Sequence, residues 1–305
     1  PFFFAFNFEG DEAIVCAEQE LPQHDISFRI GSFARYQPEG VMCPPPPLSL
    51  DPIPYLEYKR AFDTIQRHLM AGNSYLVNLT FPTRIYTPLS LEDIFHRSRA
   101  PYKCLWPGRF VVFSPEPFVR IRRGRISTYP MKGTIDAALP NAAERILADA
   151  KELAEHVTIV DLLRNDLNRV ALQVRVERFR YIEQIQTNRK SLLQVSSEIS
   201  GLLSADHHNR LGDLFAALLP AGSVSGAPKA ETLRIIREAE GTPRGFYTGV
   251  FGYFDGEDLE SAVMIRFIEH GPDGLLFRSG GGITAFSDPQ QEYRELLDKV
   301  YLPIE

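Results

Sequence analysis

Two glutamate pairs carry the most suggestive spacing in the chain. Glu152 and Glu155, in Lys151-Glu-Leu-Ala-Glu155, stand three residues apart, as do Glu292 and Glu295 in Glu292-Tyr-Arg-Glu295. On a helix each pair shares one face. Two such helices side by side would offer an oxygen-rich site to a hard cation. Mg2+ suits it, because it takes a few carboxylates, keeps waters and accepts an anionic ligand. Spacing alone describes two solvated acidic faces equally well. Lys132, in Tyr129-Pro-Met-Lys-Gly-Thr134, reads as a lysine beside glycine in a tight turn. It is either a surface lysine or, if desolvated, a nucleophilic amine. Ala221-Gly-Ser-Val-Ser-Gly-Ala-Pro-Lys229 is a Gly/Ser loop opening a helix, with Ser223 at its centre. Free N–H groups there suit a carboxylate or phosphate, although the order is not that of a nucleotide-binding Gly-Lys loop. Ser279-Gly-Gly-Gly-Ile283 places three glycines after a strand, where a ligand can approach the backbone. Asp161-Leu-Leu-Arg-Asn-Asp166 reads as a salt-bridged lock between helix and strand.

These residues need elements to hold them. Short strands and turns are expected through Arg35, followed by an extended proline connector from Cys43 to Pro54. Apolar spacing predicts a helix over Tyr55–Ala71, stopped by Gly72, and alternation predicts a strand over Tyr75–Phe81. Ser90 caps a short helix to Arg97. A strand meander fills Tyr102–Tyr129, and one long helix is expected over Asn141–Leu167. Strands follow near Ala171–Val176 and Gln194–Ser200, then helices at Leu211–Leu219 and Ala227–Glu240. Strands are expected at Gly245–Phe254, Leu259–Glu269 and Gly274–Phe277, and Asp288-Pro289 opens a last helix to Tyr301. Runs of strands followed by runs of helices indicate an α+β fold.

The bulk properties exclude several classes. The 305 residues carry a net charge of −6, which gives no support to nucleic-acid binding, since that needs a basic face. An anionic ligand would therefore need a local cluster of cations. Cys16, Cys43 and Cys104 are scattered and odd in number, which suits reduced thiols in the cytoplasm. No apolar run approaches a membrane span. The apolar start Pro1–Phe8 lacks a basic flank and reads as a strand, not a signal peptide. The lack of an initiator Met leaves room for residues upstream.

Taken in order, the motifs resemble the chorismate-utilising enzymes, the family of anthranilate, aminodeoxychorismate, isochorismate and salicylate synthases. The resemblance runs from about Tyr55 to the end. It rests on Pro130-Met-Lys-Gly-Thr134, Lys151-Glu-Leu-Ala-Glu-His156, Asp161–Asp166, Gly222–Lys229, Arg244-Gly-Phe-Tyr-Thr-Gly249, Ile265-Arg266, Gly280-Gly-Gly282 and Glu292-x-x-Glu295-x-x-x-Lys299. It implies one fold of two packed antiparallel β-sheets with helices outside. Residues 1–54 would be a reduced N-terminal strand region and connector of that fold, and 55–305 the chorismate-binding catalytic part.

The resemblance implies roles as well. Glu152, Glu155, Glu292 and Glu295 match the acidic positions around Mg2+, some binding through water. Tyr247 and Arg266 match the residues holding the enolpyruvyl carboxylate. Gly133, Thr134, Gly280, Gly282 and Lys299 match the pocket lining, to which Ser223 of the Gly/Ser loop is added. Ser114-Pro-Glu116 brings Glu116 as general acid at the C4 hydroxyl. Lys132 stands where anthranilate and salicylate synthases carry alanine and aminodeoxychorismate synthase carries a lysine with a proposed covalent role. The expected activity is thus aminodeoxychorismate synthase component I, on the route to 4-aminobenzoate and folate. The alternatives are anthranilate synthase component I, an isochorismate or salicylate synthase, and a non-catalytic chorismate-binding subunit.

Three departures from the family pattern bear on this. Leu76 occupies the place of the lysine that activates water in isochorismate and salicylate synthases, where the amino enzymes usually carry glutamine. Gln194 stands where a family histidine is expected. The tryptophan-binding lobe of larger relatives is reduced, so tryptophan feedback is not expected. No Gly-x-Cys-x-Gly glutaminase turn surrounds any cysteine, so ammonia is expected from solution or from a separate glutamine amidotransferase chain.

Overall fold

The computed structural model describes residues 1–36, 47–186 and 191–304. All strand pairings are antiparallel, and they form two sheets. The first runs, edge to edge, Met131–Asp136, Ser191–Leu202, Arg125–Thr128, Pro117–Arg122, Leu259–Val263, Val250–Phe254, Phe2–Phe6 and Ala13–Ala17, with Leu172–Gln186 also paired to Ser191–Leu202. The second runs Gly226–Ala227, Leu76–Tyr86, Gly274–Ile283, Phe267–Gly271, Phe110–Ser114, Tyr102–Trp106, Ser27–Ile30 and Phe33–Arg35, with Ser49–Asp51 also paired to Leu76–Tyr86. Among the described residues seven α-helices accompany them: α1 Tyr55–Met70, α2 Leu91–Arg97, α3 Ala142–Ala148, α4 Ala150–Asn168, α5 Leu211–Leu218, α6 Lys229–Glu240 and α7 Pro289–Asp298.

The aromatic N-terminal strand shows how the layers arise. Successive side chains on a strand point to opposite faces. Phe3 and Ala5 face the second sheet, packing in one cluster with Phe28, Tyr102, Phe110, Val112, Phe251 and Phe267. Phe4 faces the other way, in a cluster with Ile159 and Leu163 of α4 and Phe215 and Leu218 of α5. The outer face of the second sheet is covered by α1, α6 and α7 around Ile65, Leu79, Ile235 and Leu296, and by α2 through Ile94 and Phe95. The result is helix, sheet, sheet, helix. The strands before residue 54 lie in both sheets and extend their edges. Among the described residues no helix is long and apolar enough to cross a membrane. Cys16 and Cys104 are free and buried. Cys43 and most of the proline connector lie outside the described residues.

Several expectations need correction. The long helix over Asn141–Leu167 is two helices, because Asp149 is extended (φ −67°, ψ 116°) and caps α4 by accepting from Glu152 N at 3.0 Å. The strand expected over Leu259–Glu269 is two strands in different sheets, with Met264-Ile265-Arg266 as the crossover. Gly245–Gly249 is a turn before the strand Val250–Phe254. The strand near Ala171–Val176 continues to Gln186, with three register shifts along its ladder. The three glycines at 280–282 lie inside the strand Gly274–Ile283, not after it.

Candidate active site

Two crossovers between the sheets meet at one edge of the sandwich. The chain leaves the second sheet at Ser114, passes Pro115 and Glu116, and enters the first sheet at Pro117. Alongside, Met264-Ile265-Arg266 makes the opposite crossing. The two are stitched together by Val263 N donating to Glu116 O (3.1 Å) and Phe113 N to Arg266 O (3.0 Å). Arg266 adopts a left-handed φ of 54°, a conformation a non-glycine residue holds only when its surroundings enforce it. Glu116 and Arg266 are thereby brought to the same corner by backbone geometry.

Glu116 is half-buried and accepts a hydrogen bond from Ser223 Oγ at 2.5 Å. Burial raises its carboxyl above the ordinary range. The Ser223 hydroxyl, the Arg266 guanidinium and the Lys132 ammonium pull the other way without cancelling the rise. The protonated acid is therefore favoured beyond its usual pH range.

Lys132 is not in a tight turn. It lies in the strand Met131–Asp136, where Met131 pairs with Ser196 and Thr134 with Gln194, so three steps on one strand oppose two on the other. This bulge centres on Gly133, whose φ of +82° suits glycine. A Cβ there would lie 2.6 Å from Glu152 Oε2, so glycine also leaves room for that carboxylate. The bulge turns Lys132 toward α4, and its Nζ meets Glu155 Oε2 at 3.0 Å. Burial alone would lower the Lys132 pKa, but Glu155, Glu295 and Glu152 outweigh it and hold the ammonium charged above its ordinary range.

Across the cleft, α7 is capped by Asp288, which accepts from Gln290 N and Gln291 N. It presents Glu292, Glu295 and the following Lys299 over the glycine strand. A Cβ at Gly281 would have Glu292 Oε2 and Lys299 Nζ at 3.5 Å and Glu295 Oε1 at 3.7 Å. Lys299 Nζ bonds Glu295 at 2.6 Å and donates to Gly280 O at 2.8 Å. Its pKa is lowered, by burial first, with Arg266 and Lys132 adding to the effect against Glu295.

The two glutamate helices thus converge on one amine, and Glu116 faces the same amine. Three cations, Lys132, Lys299 and Arg266, stand among five carboxylates, which is the local cationic cluster an anionic ligand needs in an acidic protein. Tyr247 is buried, and its phenol is pushed up to about 12, chiefly by burial, against the nearby Arg244 and Arg266. Thr134, within the same strand as Lys132, is exposed. Gly282 lies beneath Leu76: a Cβ there would be 2.9 Å from Leu76 Cδ1. Gln194 is buried on the strand next to that of Lys132. His156 is fully buried against Ser197 Oγ (2.7 Å) and is driven to about 4 by burial, then by Arg180 and Lys132, so its ring is neutral.

Among the described residues no three carboxylate, histidine or thiol groups stand close enough together to hold a metal ion. The carboxylates are interleaved with lysines instead. The donor chemistry still fits a hard cation, since it consists of carboxylate oxygens only. The lock read from Asp161–Asp166 exists, but it joins helix to helix: Asp166 pairs with Lys229 at the start of α6 at 3.0 Å. The Gly/Ser loop does not open a helix directly. It forms a short turn at Gly222–Val224 and a strand bridge at Gly226–Ala227 before α6 begins. Sequence reasoning gave no role to Arg244, which is fully buried; a Pro-Arg-Gly turn looks like surface until the fold buries it.

Comparison with known proteins identifies the family. Residues 36–305 match the family model described as chorismate binding enzyme. An uncharacterized PabA-like protein of Pasteurella multocida is 52% identical, over 100% of this chain and 94% of its own length. Anthranilate synthase component 1 of Synechocystis is 44% identical over 72% of this chain and 45% of its own. Aminodeoxychorismate synthase component 1 of Klebsiella aerogenes is 35% identical over 80% and 56%. The chain therefore spans about half the length of these two named synthases. The crystal structure of anthranilate synthase component I from Streptococcus pneumoniae superposes with a TM-score of 0.72 at 27% identity, covering 83% of this chain and 58% of that one. The chain belongs to the chorismate-binding enzyme family.

Proposed function

We propose that the protein is an aminodeoxychorismate synthase component I, exchanging the C4 hydroxyl of chorismate for an amino group. The observation that carries this reading is the Lys132 amine, held in the cleft by Glu155 and facing Glu116. In the first step the Lys132 ammonium passes a proton to Glu155, the neutral Nζ bonds to ring C2, the two ring double bonds shift toward C4, and the C4–O bond breaks. Glu116 supplies the proton, and water leaves. In the second step ammonia bonds to C4, both electron pairs shift back, and the C2–N bond to Lys132 breaks, releasing the neutral amine. The product ammonium returns a proton to Glu116. One difficult substitution becomes two easier displacements. Arg266 and Tyr247 would hold the enolpyruvyl carboxylate, Arg266 through its planar fork. Lys299, Ser223 and the glycine strand would line the pocket.

Mg2+ would be held by Glu152 and Glu155 of α4 and Glu292 and Glu295 of α7, and would supply positive charge for the ring carboxylate. Nitrogen would come from ammonia or a separate glutamine amidotransferase. Leu76 supports amination over hydration, since it offers no base for water at C2.

The test is product identification with chorismate, Mg2+ and ammonium. The expected product is 4-amino-4-deoxychorismate without pyruvate. Stoichiometric pyruvate would replace this reading with anthranilate synthesis, and conversion without ammonium with isochorismate or salicylate synthesis. No product at all would favour a binding subunit.

A further inference from the structure

The residue that orders the acid's partner is not in the cleft. Arg244 is 1% exposed, and its guanidinium reaches four segments at once. Nε and Nη2 bond both oxygens of Glu240 at 2.9 and 2.6 Å, Nη1 donates to Val224 O at 2.8 Å, and Nη2 donates to Asn78 O at 2.7 Å. Nη1 also approaches Thr248 Oγ1 at 3.4 Å, and the group lies over the Phe8 ring at 4.4 Å. Glu240 accepts from Thr80 N (2.9 Å) and Thr80 Oγ1 (3.0 Å), fixing the pair to the strand Leu76–Tyr86.

Val224 adjoins Ser223, the donor to Glu116. The loop from Leu219 to Pro228 is thus clamped at two places: by Arg244 at Val224 O, and at its far end by Lys229, which bonds Asp166 (3.0 Å) and Leu218 O (2.8 Å). Buried ion pairs give little net stability compared with apolar residues of similar size, so what this pair aligns matters more than what it stabilises. Arg244 spends two of its donors on carbonyls of separate chain segments, which serves alignment, and only a planar multi-donor group can do that.

We infer that Arg244 is a positioning residue for the general acid: it holds Ser223 against Glu116 by fixing the Val224 peptide. The inference rests on the reading of Glu116 as the acid. Ser223, Arg266 and Lys132 are the groups that face Glu116. Loosening the loop removes only Ser223, whose hydrogen bond favours the carboxylate form.

The test compares Arg244→Lys, Arg244→Gln, Ser223→Ala and the Ser223→Ala/Arg244→Gln double variant with wild type. The Glu116 titration is followed by carboxyl carbon NMR, assigned with Glu116→Gln. Glu116 should titrate at higher pH in Ser223→Ala and in Arg244→Gln, and no higher in the double variant than in either single one. In the Arg244 variants turnover should fall about tenfold or more with KM for chorismate changed by less than about threefold. A folded Arg244 variant in which Glu116 titrates as in wild type overturns the inference, as does an additive double variant. Should Arg244→Gln not fold, Arg244→Lys and the isosteric Glu240→Gln carry the same comparison. The titration needs no turnover. Wild-type protein that forms no aminated product would therefore end the reading of the reaction while leaving the positioning decided separately.

Discussion

Replacing Lys132 is the sharpest perturbation of the proposed chemistry, and the structure sets its size. Lys132 and Glu155 are 38% and 25% exposed, so their ion pair stabilises the fold by no more than about 1 kcal/mol. Lys132→Ala and Lys132→Arg should therefore stay folded, and any loss of activity belongs to the chemistry. At rest the amine is charged: even the ordinary pKa of 10.5 leaves roughly one in 3000 neutral at pH 7, and the surrounding carboxylates move it further from neutrality. A nucleophilic Lys132 must first give up its proton, and Glu155 at 3.0 Å is placed to receive it. A purely electrostatic Lys132 need not. Arginine separates the two, because it keeps the charge and cannot be deprotonated in a protein.

The expected result is a loss of at least about 100-fold in both variants, near 2.7 kcal/mol in the barrier, with chorismate binding retained. Wild type given chorismate and Mg2+ but no ammonium should show a mass increase on Lys132. Lys132→Ala within about threefold of wild type, or Lys132→Arg at wild-type rate, would refute covalent participation.

Glu152→Gln and Glu295→Gln should each raise the Mg2+ concentration for half-maximal activity by about tenfold or more, read from Mg2+ titrations of product formation; unchanged curves would move the ion elsewhere. Lys103 is buried, donates to Phe95 O and Ser98 O, and is lowered to about 8 by burial, then by Arg29. Between about 8 and 10.5 the unfolded chain binds more protons at this lysine than the folded one, so stability should rise with pH there and be flat below it. The rise is at most about 3 kcal/mol and should vanish in Lys103→Met, measured by urea unfolding at pH 7.5 and 10. Phe4→Ala, at a ring centred 4.7 Å from Phe215, should cost about 3–5 kcal/mol in the same assay.

Where local signals dominate, the fold is readable in the sequence. The capping box joining Ser90 and Asp93, the apolar stripe of α1 and the Asp288 cap all announce helices that exist. The hairpin Leu172–Gln186 with Ser191–Leu202 is harder to read because bulges reset its alternation. Register shifts between Leu172 and Arg175, Val176 and Arg178, and Arg178 and Tyr181 break the period of two. The sheet crossing at Met264-Ile265-Arg266 hides for another reason: Leu259–Val263 before it and Phe267 and Ile268 after it are all buried, so polarity does not change where the backbone turns. Asp149 did carry a readable signal, an aspartate three residues before Glu152, in a stretch whose helical propensity masked the break.

The site depends on contacts that spacing cannot report. Glu152 and Glu155 are more than a hundred residues from Glu292 and Glu295, and each pair alone has the pattern of a wetted helix face. What makes them a site is a lysine between them, delivered by a bulge that needs glycine at 133, and an α7 whose carboxylates come within van der Waals reach of the strand at Gly281. Motif order supplied that convergence through resemblance; the physical reason lies in the sheets. A sandwich whose strands change sheets at Glu116 and at Arg266 has one corner where an acid and a guanidinium must meet. Helices packed on opposite outer faces can reach that corner only with their ends. One carboxylate of each pair, Glu152 in α4 and Glu292 in α7, lies in the first turn of its helix, where the dipole favours negative charge. The clustered negative charge is offset in part by those helix ends and by three cations, and on the proposed function a dianionic substrate would need a divalent cation to enter it. That charge balance, more than any single motif, is the reason to expect activity to vanish on chelation and to return with Mg2+.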